Sequence, residues 1–416
     1  MTLDLVKVAA RLPELVERAR EERGQSAARL AQALTLLRRA ADDPAWFERR
    51  MLSAKTSWTL ALPFAPDGGR LDRGVPAPEP PAAYAALAVD GSSIDVDRHL
   101  PVDCFVLNFG WMLIQYGDGP DAIPDSDVDV QPTGGEIVLR DAQDPSRESA
   151  ILGAVLGVVR GVRELAKLAE LAEYYCPSDR PLLALVDGNL ALWNLDKRDL
   201  PPSIAEQLKT GEHGTLQALD RLQALVEAGR AVFSGYVSQT RAGNVVHSLR
   251  LLACPLGERV VCASCPGRET GERPCDAAGL PHDAELMRHL LEPWQRSAVF
   301  KPYRSPHAQT AEKWYEEAGH EIAFFYLRAG DEIARVELPV WMAEEKGRLD
   351  LLHALLVHQA QSGANYPVAL QEAHEQAVIS TTDRAAFSAL IARECELYGI
   401  PWLTSSKALS KRVRAI

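Results

Sequence analysis

Two stretches of this chain end a short apolar run in Asp-Gly: Ala88-Val89-Asp90-Gly91-Ser92 and Leu185-Val186-Asp187-Gly188-Asn189. An apolar run closed by a turn signal reads as a buried strand. A carboxylate at its end leaves the core and faces a cleft, and glycine lets the chain turn away at once. Two such carboxylates on neighbouring strands could share a divalent cation, the arrangement that metal-assisted phosphodiester cleavage needs. The competing reading is two strand corners with Asp as turn former. The occurrence of the pair favours a site.

The order of elements around the pair is that of the ribonuclease H-like fold, and that resemblance implies a third carboxylate, usually Glu, on the helix between them. Periodicity predicts a long helix from about Arg147 to Tyr175, with Ile151, Val155, Val158, Val162, Leu165, Ala169 and Ala172 on one face and Pro177 beyond its end. The strand Leu182–Val186 that leads into Asp187 climbs about 3.3 Å per residue, whereas the helix descends about 1.5 Å per residue. A carboxylate level with Asp187 therefore sits about ten residues before the helix ends. Glu164 fits, Glu170 lies about two turns too low and Glu148 too high. Glu164 is preferred over Glu170. Against it stands the plain reading of a solvated Glu paired to Arg160 four residues earlier.

Further along, Tyr366-Pro367 opens another helix, with Pro at the start where it is tolerated. Tyr366, Leu370 and His374 recur every four residues, close to one ridge. His374 could ligate a metal or stabilise a leaving phosphate, and Tyr366 could donate a hydrogen bond. A histidine on a helix is otherwise most often a surface or satisfied core residue.

The elements that must hold these residues read as follows. Residues 1–62 form a helical extension, with Leu5, Val8, Leu12, Leu15 and Val16, then Leu30, Leu34 and Leu37, at helical spacing. Its charged faces are solvated, or one of them meets a partner helix. Residues 63–83 are a Pro- and Gly-rich linker. Strands are expected at Leu87–Asp90, at Cys104–Phe109 and Trp111–Tyr116 on either side of Gly110, and at Gly135–Leu139. Asp125–Asp129 reads as an acidic loop. After the long helix come the strand into Asp187, a helix at about 214–229, a strand at Ala231–Val237 and a pairing strand at Val245–Leu252. A hairpin follows at Ile322–Leu327 and Ile333–Pro339, around Gly330, and then a helix at about 347–361. Three strands, a helix and a strand, with Asp on the first and fourth strands, is the order of the ribonuclease H-like fold. The expected class is α/β, a ribonuclease H-like mixed sheet flanked by helices, over residues 84–416 with an insertion at about 254–282.

That insertion carries Cys254, Cys262, Cys265 and Cys275, including one C-x-x-C pair. Such thiolates could form a structural zinc site. The spacings are irregular, and ordinary reduced cysteines explain them equally. No histidine pattern suggests a catalytic thiol.

Composition bounds the rest. At 416 residues the chain exceeds one simple core. Its 47% hydrophobic and 25% charged residues are those of a soluble globular protein. No apolar run reaches the ~18 residues of a membrane span, and the N-terminus lacks a signal peptide's order, so a cytoplasmic protein is expected. The net charge of −12 excludes a protein that coats nucleic acid by bulk charge. It leaves room for a nuclease, in which metal ions and a local basic rim hold phosphates. Arg335, Lys407 and the basic residues Lys411, Arg412 and Arg414 are candidates for that rim.

With these residues in hand, the chain resembles the bacterial branch of the NurA family of DNA repair nucleases, from about residue 84 to 412. The resemblance runs through Ala-Val-Asp90-Gly-Ser, Leu-Val-Asp187-Gly-Asn-Leu, Ser234-Gly-Tyr-Val, Phe324-Phe-Tyr and Arg335-Val-Glu337-Leu-Pro. It continues through Tyr366-Pro-x-x-Leu-x-x-Ala-His374 and Ser405-Ser-Lys407. Asn189 stands where the family usually has Ser. The resemblance implies a catalytic set of Asp90, Glu164, Asp187, Tyr366 and His374, with Asp90, Glu164, Asp187 and His374 as metal ligands. It implies a manganese-dependent enzyme, with magnesium as the other candidate, that acts on DNA ends as a 5′ to 3′ exonuclease with single-strand endonuclease activity. It also implies a homodimer that works with a HerA-type hexameric ATPase. No phosphate-binding G-x-x-x-x-G-K-[ST] loop occurs in this chain, so the partner would supply the movement. In the expected mechanism Asp90 bridges two metals, and Asp187 and Glu164 each hold one. The rival readings are a ribonuclease H-like nuclease acting on RNA or hybrids, and a catalytically silent scaffold for a translocase.

Overall fold

The computed structural model describes residues 4–64, 69–96, 100, 102–132, 138–140, 148–150, 153–192, 202–257, 259–304 and 313–400. The chain forms two compact units that interleave in sequence. The first comprises residues 1–77, 238–310 and 323–336; the second comprises 78–237, 311–322 and 337–416. The first break between the units falls at residues 77 and 78, within the stretch expected as a linker. The N-terminal helices and the cysteine-bearing stretch at 254–282 share one unit. Part of the expected linker is ordered too, since Val75-Pro76 pairs with Gln295-Arg296.

In the second unit we label β1 (Tyr84–Ile94), β2 (Cys104–Tyr116), β3 (Asp121–Pro132), α1 (Ala154–Tyr175) and β4 (Leu182–Asp187). There follow α2 (Thr215–Glu227), β5 (Ala231–Val237), α3 (Lys346–Ser362), α4 (Val368–Ala377) and α5 (Thr381–Leu397). The strands lie in the order β5-β4-β1-β2-β3. β1, β2 and β3 pair antiparallel, whereas β1, β4 and β5 run parallel. β1 and β4 are apolar without interruption (Ala85 to Val89, Leu182 to Val186), as strands covered on both faces must be. α1 packs on β1 and β4, and α4 on β1 and β2.

Several expectations are corrected here. Cys104–Phe109 and Trp111–Tyr116 are one strand, β2, and Gly110 lies inside it. Asp125–Asp129 is not a loop but part of β3, an edge strand. Its alternating acids are solvated, as suits an edge that must not recruit another chain. α1 starts at Ala154 rather than Arg147: Gly153 at φ +51° breaks the backbone, and Glu148–Ala150 pairs with Val138–Arg140. Of the strand expected at Gly135–Leu139, residues 135–137 lie outside the described residues.

In the first unit, the strands Leu60–Pro63 and Phe300–Tyr303 pair antiparallel, and Phe300 pairs with Phe324 of Ile322–Ala329. The helices Leu12–Asp42, Pro44–Ser53 and Asp283–Leu290 bury Leu37, Met51 and Leu286 in the same core. Val245–Leu252 is not a strand: Asn244–Ala253 is a helix. Val245, Leu249 and Leu252 recur at helical spacing, whereas Val245, Leu249 and Leu251 share a strand's period of two, so the short run is ambiguous. The carboxylate of Asp283 decides the outcome by accepting from the first-turn N–H groups of Val245 (3.0 Å) and Val246 (2.7 Å). Among the described residues no helix is long and apolar enough to cross a membrane.

Candidate active site

β1 and β4 lie side by side with Val89 opposite Val186, so Asp90 and Asp187 stand next to each other where that pairing ends. Asp187 ends β4, and Gly188 follows at φ +99°, a conformation that favours glycine and turns the chain away. Gly91 does something else. β1 continues through it to Ile94, with Gly91 opposite Phe109. A Cβ at Gly91 would collide with the carboxyl end of Glu164. Side chains alternate across a strand, so Asp90 points to the face opposite the one on which Gly91 leaves its gap. Glu164, on α1, fills that gap and comes within electrostatic reach of Asp90 and Asp187.

Glycine also brings in the histidine. Gly110 of β2 pairs with Asp90. A Cβ there would strike the α4 backbone at Ala373, Gln376 and Ala377. α4 therefore lies directly on the ladder at Asp90. Its last turn is tied down by Asn108 Nδ2, which donates to Ala377 O (2.8 Å), and by the Ser92 hydroxyl, which donates to the same carbonyl. From that position His374 Nδ1 stands 2.7 Å from Asp90 Oδ2. Tyr366, just before α4, donates its hydroxyl to Asp187 and rests edge-on against Tyr236, ring centroids 5.5 Å apart.

The electrostatics are those of crowded carboxylates. Glu164 is only 6% exposed. Burial pushes its carboxyl up to about 8; Arg160 opposes the shift, and Asp90 and Asp187 add to it. Burial and then Asp90 likewise raise Asp187, against the pull of the Tyr366 hydroxyl and His374. Burial and Asp187 raise the Tyr366 phenol, keeping it a donor. Arg160 Nε lies 3.0 Å from Glu164 Oε1, yet neither atom has a hydrogen bond of good geometry. The pair neutralises charge without saturating the carboxylate. Glu170, by contrast, is solvated and pairs with Lys167 at 3.5 Å.

Each carboxylate turns to a different partner, and among the described residues no three His, Cys, Asp or Glu converge as a finished metal cage. The donor set nonetheless fits a hard divalent cation. It gathers three carboxylates whose mutual repulsion is only partly offset, one of them with an unsaturated buried oxygen. Glu164 and Asp187 also line a cleft of about 160 Å³, together with Asn189.

Residues far along the chain support the loop beside this cleft. Glu337 Oε2, buried, accepts from Leu190 N (3.0 Å) and Ala191 N (3.3 Å). The Tyr315 hydroxyl donates to Leu190 O (2.8 Å) and accepts from Leu192 N (3.2 Å). Together they pin the loop after Asp187. Behind α4, Gln359 Nε2 donates to the hydroxyls of Tyr84 (3.0 Å) and Tyr116 (2.9 Å), and its Oε1 accepts from Ala369 N (3.0 Å). The only advance signal was Glu337 inside the Arg335-Val-Glu337 motif. Arg335 itself is no rim residue. It is buried in the first unit, donates to Asn244 Oδ1 (3.1 Å) and lies 3.6 Å over the Phe324 ring. Lys407, Lys411, Arg412 and Arg414 lie outside the described residues. Cys254, Cys262, Cys265 and Cys275 all line one cavity of the first unit.

A mixed sheet with helices on both faces carries an acidic cluster where two adjacent parallel strands stop pairing, an architecture of the α/β class. The NurA domain matches residues 84–379, and the chain belongs to that family. The family is one of nucleases, and membership suggests a nuclease of DNA repair. Among solved structures the chain is similar to a crystal structure of NurA, at 15% identity over 76% of this chain and 90% of that one, with a TM-score of 0.35. It is also similar to the native protease–reverse transcriptase of prototype foamy virus, at 11% identity over 38% of this chain and 18% of that one, with a TM-score of 0.20. No curated protein matches.

Proposed function

We propose that this chain is a metal-dependent DNA nuclease. It trims DNA ends 5′ to 3′ and nicks single strands, as a homodimer fed by a HerA-type hexameric ATPase. The observation that carries the reading is the gathering of Asp90, Glu164 and Asp187 around the Gly91 gap, with a buried Glu164 oxygen left unsaturated. Asp90, Glu164, Asp187 and His374 would hold manganese or magnesium. The bound cation supplies an activated water and charge to stabilise the leaving oxygen.

The protein's own residues do the rest. Tyr366 fixes the orientation of Asp187. His374, on Asp90, offers a half-exposed ring at the position where a phosphate would approach. Asn189 lines the cleft beside Glu164 and Asp187, where a carboxamide can contact the sugar–phosphate chain. The strand order β3-β2-β1-β4-β5, with β1 and β4 carrying the acids, supports a ribonuclease H-like nuclease core.

The test is cleavage of 5′-labelled single-stranded DNA in Mn²⁺, Mg²⁺ or EDTA, beside Asp90→Ala. Metal-dependent cleavage lost in a folded variant supports the reading. Equal cleavage by wild type and variant sinks it. No cleavage by wild type, even with the translocase added, points to a silent scaffold.

A further inference from the structure

The first unit contains a cavity of about 590 Å³ that the carboxylate site does not use. Three cations line it, Lys55, Arg268 and Arg273, and among the described residues no Asp or Glu does. In a chain with a net charge of −12, three cations without an acid around one concavity call for an explanation. Cations held together in a recess repel one another, and an arriving anion relieves that repulsion. The neighbouring acid is already engaged, because Asp276 forms an ion pair with Arg250.

The remaining wall is mostly apolar, with Thr56, Ser57 and the four cysteines set into it. Trp58 is stacked on His247, ring centroids 5.0 Å apart and 16° from coplanar, and Arg250 lies 4.4 Å from its ring centre. Arg273 approaches the same ring at 5.8 Å. A bare inorganic anion would leave this wall unused. The volume falls in the range of sites for organic ligands of drug-like size, roughly 300–1,000 Å³.

We propose that this cavity binds a nucleotide. Its phosphate sits on Lys55, Arg268 and Arg273, and its sugar and base lie against Trp58 and the apolar wall. The choice of a nucleotide among organic phosphates rests on the nuclease reading above. The ligand is either a free nucleoside monophosphate or one residue of a DNA strand.

The test is calorimetric titration of the full chain in EDTA with dTMP, with 5′-phosphorylated (dT)6 and with inorganic phosphate. The variants are Lys55→Ala and Arg268→Ala, each checked by thermal melting. The expected result is binding of dTMP or (dT)6 that weakens about tenfold per cation removed, the effect of one lost charge-assisted contact. Melting temperature stays as in wild type; DNA cleavage is unchanged if the ligand is a free nucleotide and weakens if it is a residue of the strand. Binding of dTMP assigns the cavity to free nucleotides, and binding of (dT)6 alone assigns it to a strand. Three outcomes overturn the proposal: no binding of either, affinity unchanged in both variants, or phosphate binding as tightly as dTMP. Stoichiometric zinc in the purified protein, lost on Cys262→Ser, would also overturn it, because a metal held by those thiols would fill the recess. Cleavage measured alongside keeps the two readings apart. An active nuclease with an empty cavity fails this proposal alone, and an inactive chain that binds dTMP fails only the nuclease reading.

Discussion

The carboxyl group of Glu164 occupies the space where Gly91 would carry a side chain. One residue type on β1 thus sets whether an acid from the other face of the sheet can reach Asp90. Gly91→Ala should push Glu164 out and reduce metal-dependent cleavage by roughly a hundredfold, the cost of about 1 Å of misplacement. Overpacking should cost about 1–3 kcal/mol. Kinetics and urea denaturation on the same preparation check both. A variant that cuts normally would show that Glu164 need not occupy the gap.

Gly110 plays the matching part for the histidine. Gly110→Ala places a methyl against the α4 backbone, which cannot yield as a flexible side chain would. We expect a loss of about 1–3 kcal/mol from overpacking. The Asp90–His374 contact should break, visible as a changed His374 ring signal by NMR. An unchanged His374 signal would place α4 differently from the arrangement described.

Glu164 makes stability depend on pH in metal-free protein. Its carboxyl is raised from 4.5 to about 8, so the native state keeps a proton that the unfolded chain has lost between those values. Native stability therefore falls as pH rises through that window. In EDTA, Glu164→Gln should melt above wild type at about pH 8.5, with the gap closing towards about pH 5. Added Mn²⁺ should raise the melting temperature of wild type more than that of the variant. A gap that does not change with pH would refute the shifted carboxyl.

Tyr366→Phe removes the hydroxyl on Asp187 but leaves the ring against Tyr236. Cleavage should fall about tenfold to a hundredfold, as expected for one lost orienting hydrogen bond. Stability should change by about 1 kcal/mol or less. A rate equal to wild type would remove Tyr366 from the site.

Gln359→Leu tests the support behind α4. It strands the buried Ala369 N–H and removes the donor to the Tyr84 and Tyr116 hydroxyls, of which Tyr84 keeps His358, at a cost of about 1–3 kcal/mol. Chemical denaturation measures this directly. Cleavage should drop as well, because α4 carries His374. A destabilised variant with full activity would make Gln359 a purely structural residue.

How far the sequence could be read depended on the range of the interaction involved. Asp90 and Asp187 stood out because a buried strand and its end are local events. The rise of helix against strand placed Glu164 level with Asp187. Glycines were read for their freedom to turn, and that suits Gly188 but not Gly91 or Gly110. Their role is absence of bulk, which becomes visible only once Glu164 and α4 have arrived from elsewhere. Val245–Leu252 failed for a related reason: its helix depends on Asp283, far along the chain. The acids of β3 looked like a loop because an exposed edge strand lacks the apolar alternation that marks a strand. Glu337 and Gln359 gave no local signal, since each satisfies backbone or side-chain groups that only the fold brings near.

Asp90 and His374 are 284 positions apart in the chain. On a ribosome the acids of β1, α1 and β4 emerge long before α4. At ~5–20 residues per second, the delay between Asp187 and Tyr366 is on the order of ten to forty seconds. Throughout that interval the nascent chain carries its acids without the tyrosine and histidine that complete them, and Gly110 leaves an open seat. On the nuclease reading, the site is thus unfinished while the chain is being made, and docking of α4 on Gly110 completes it.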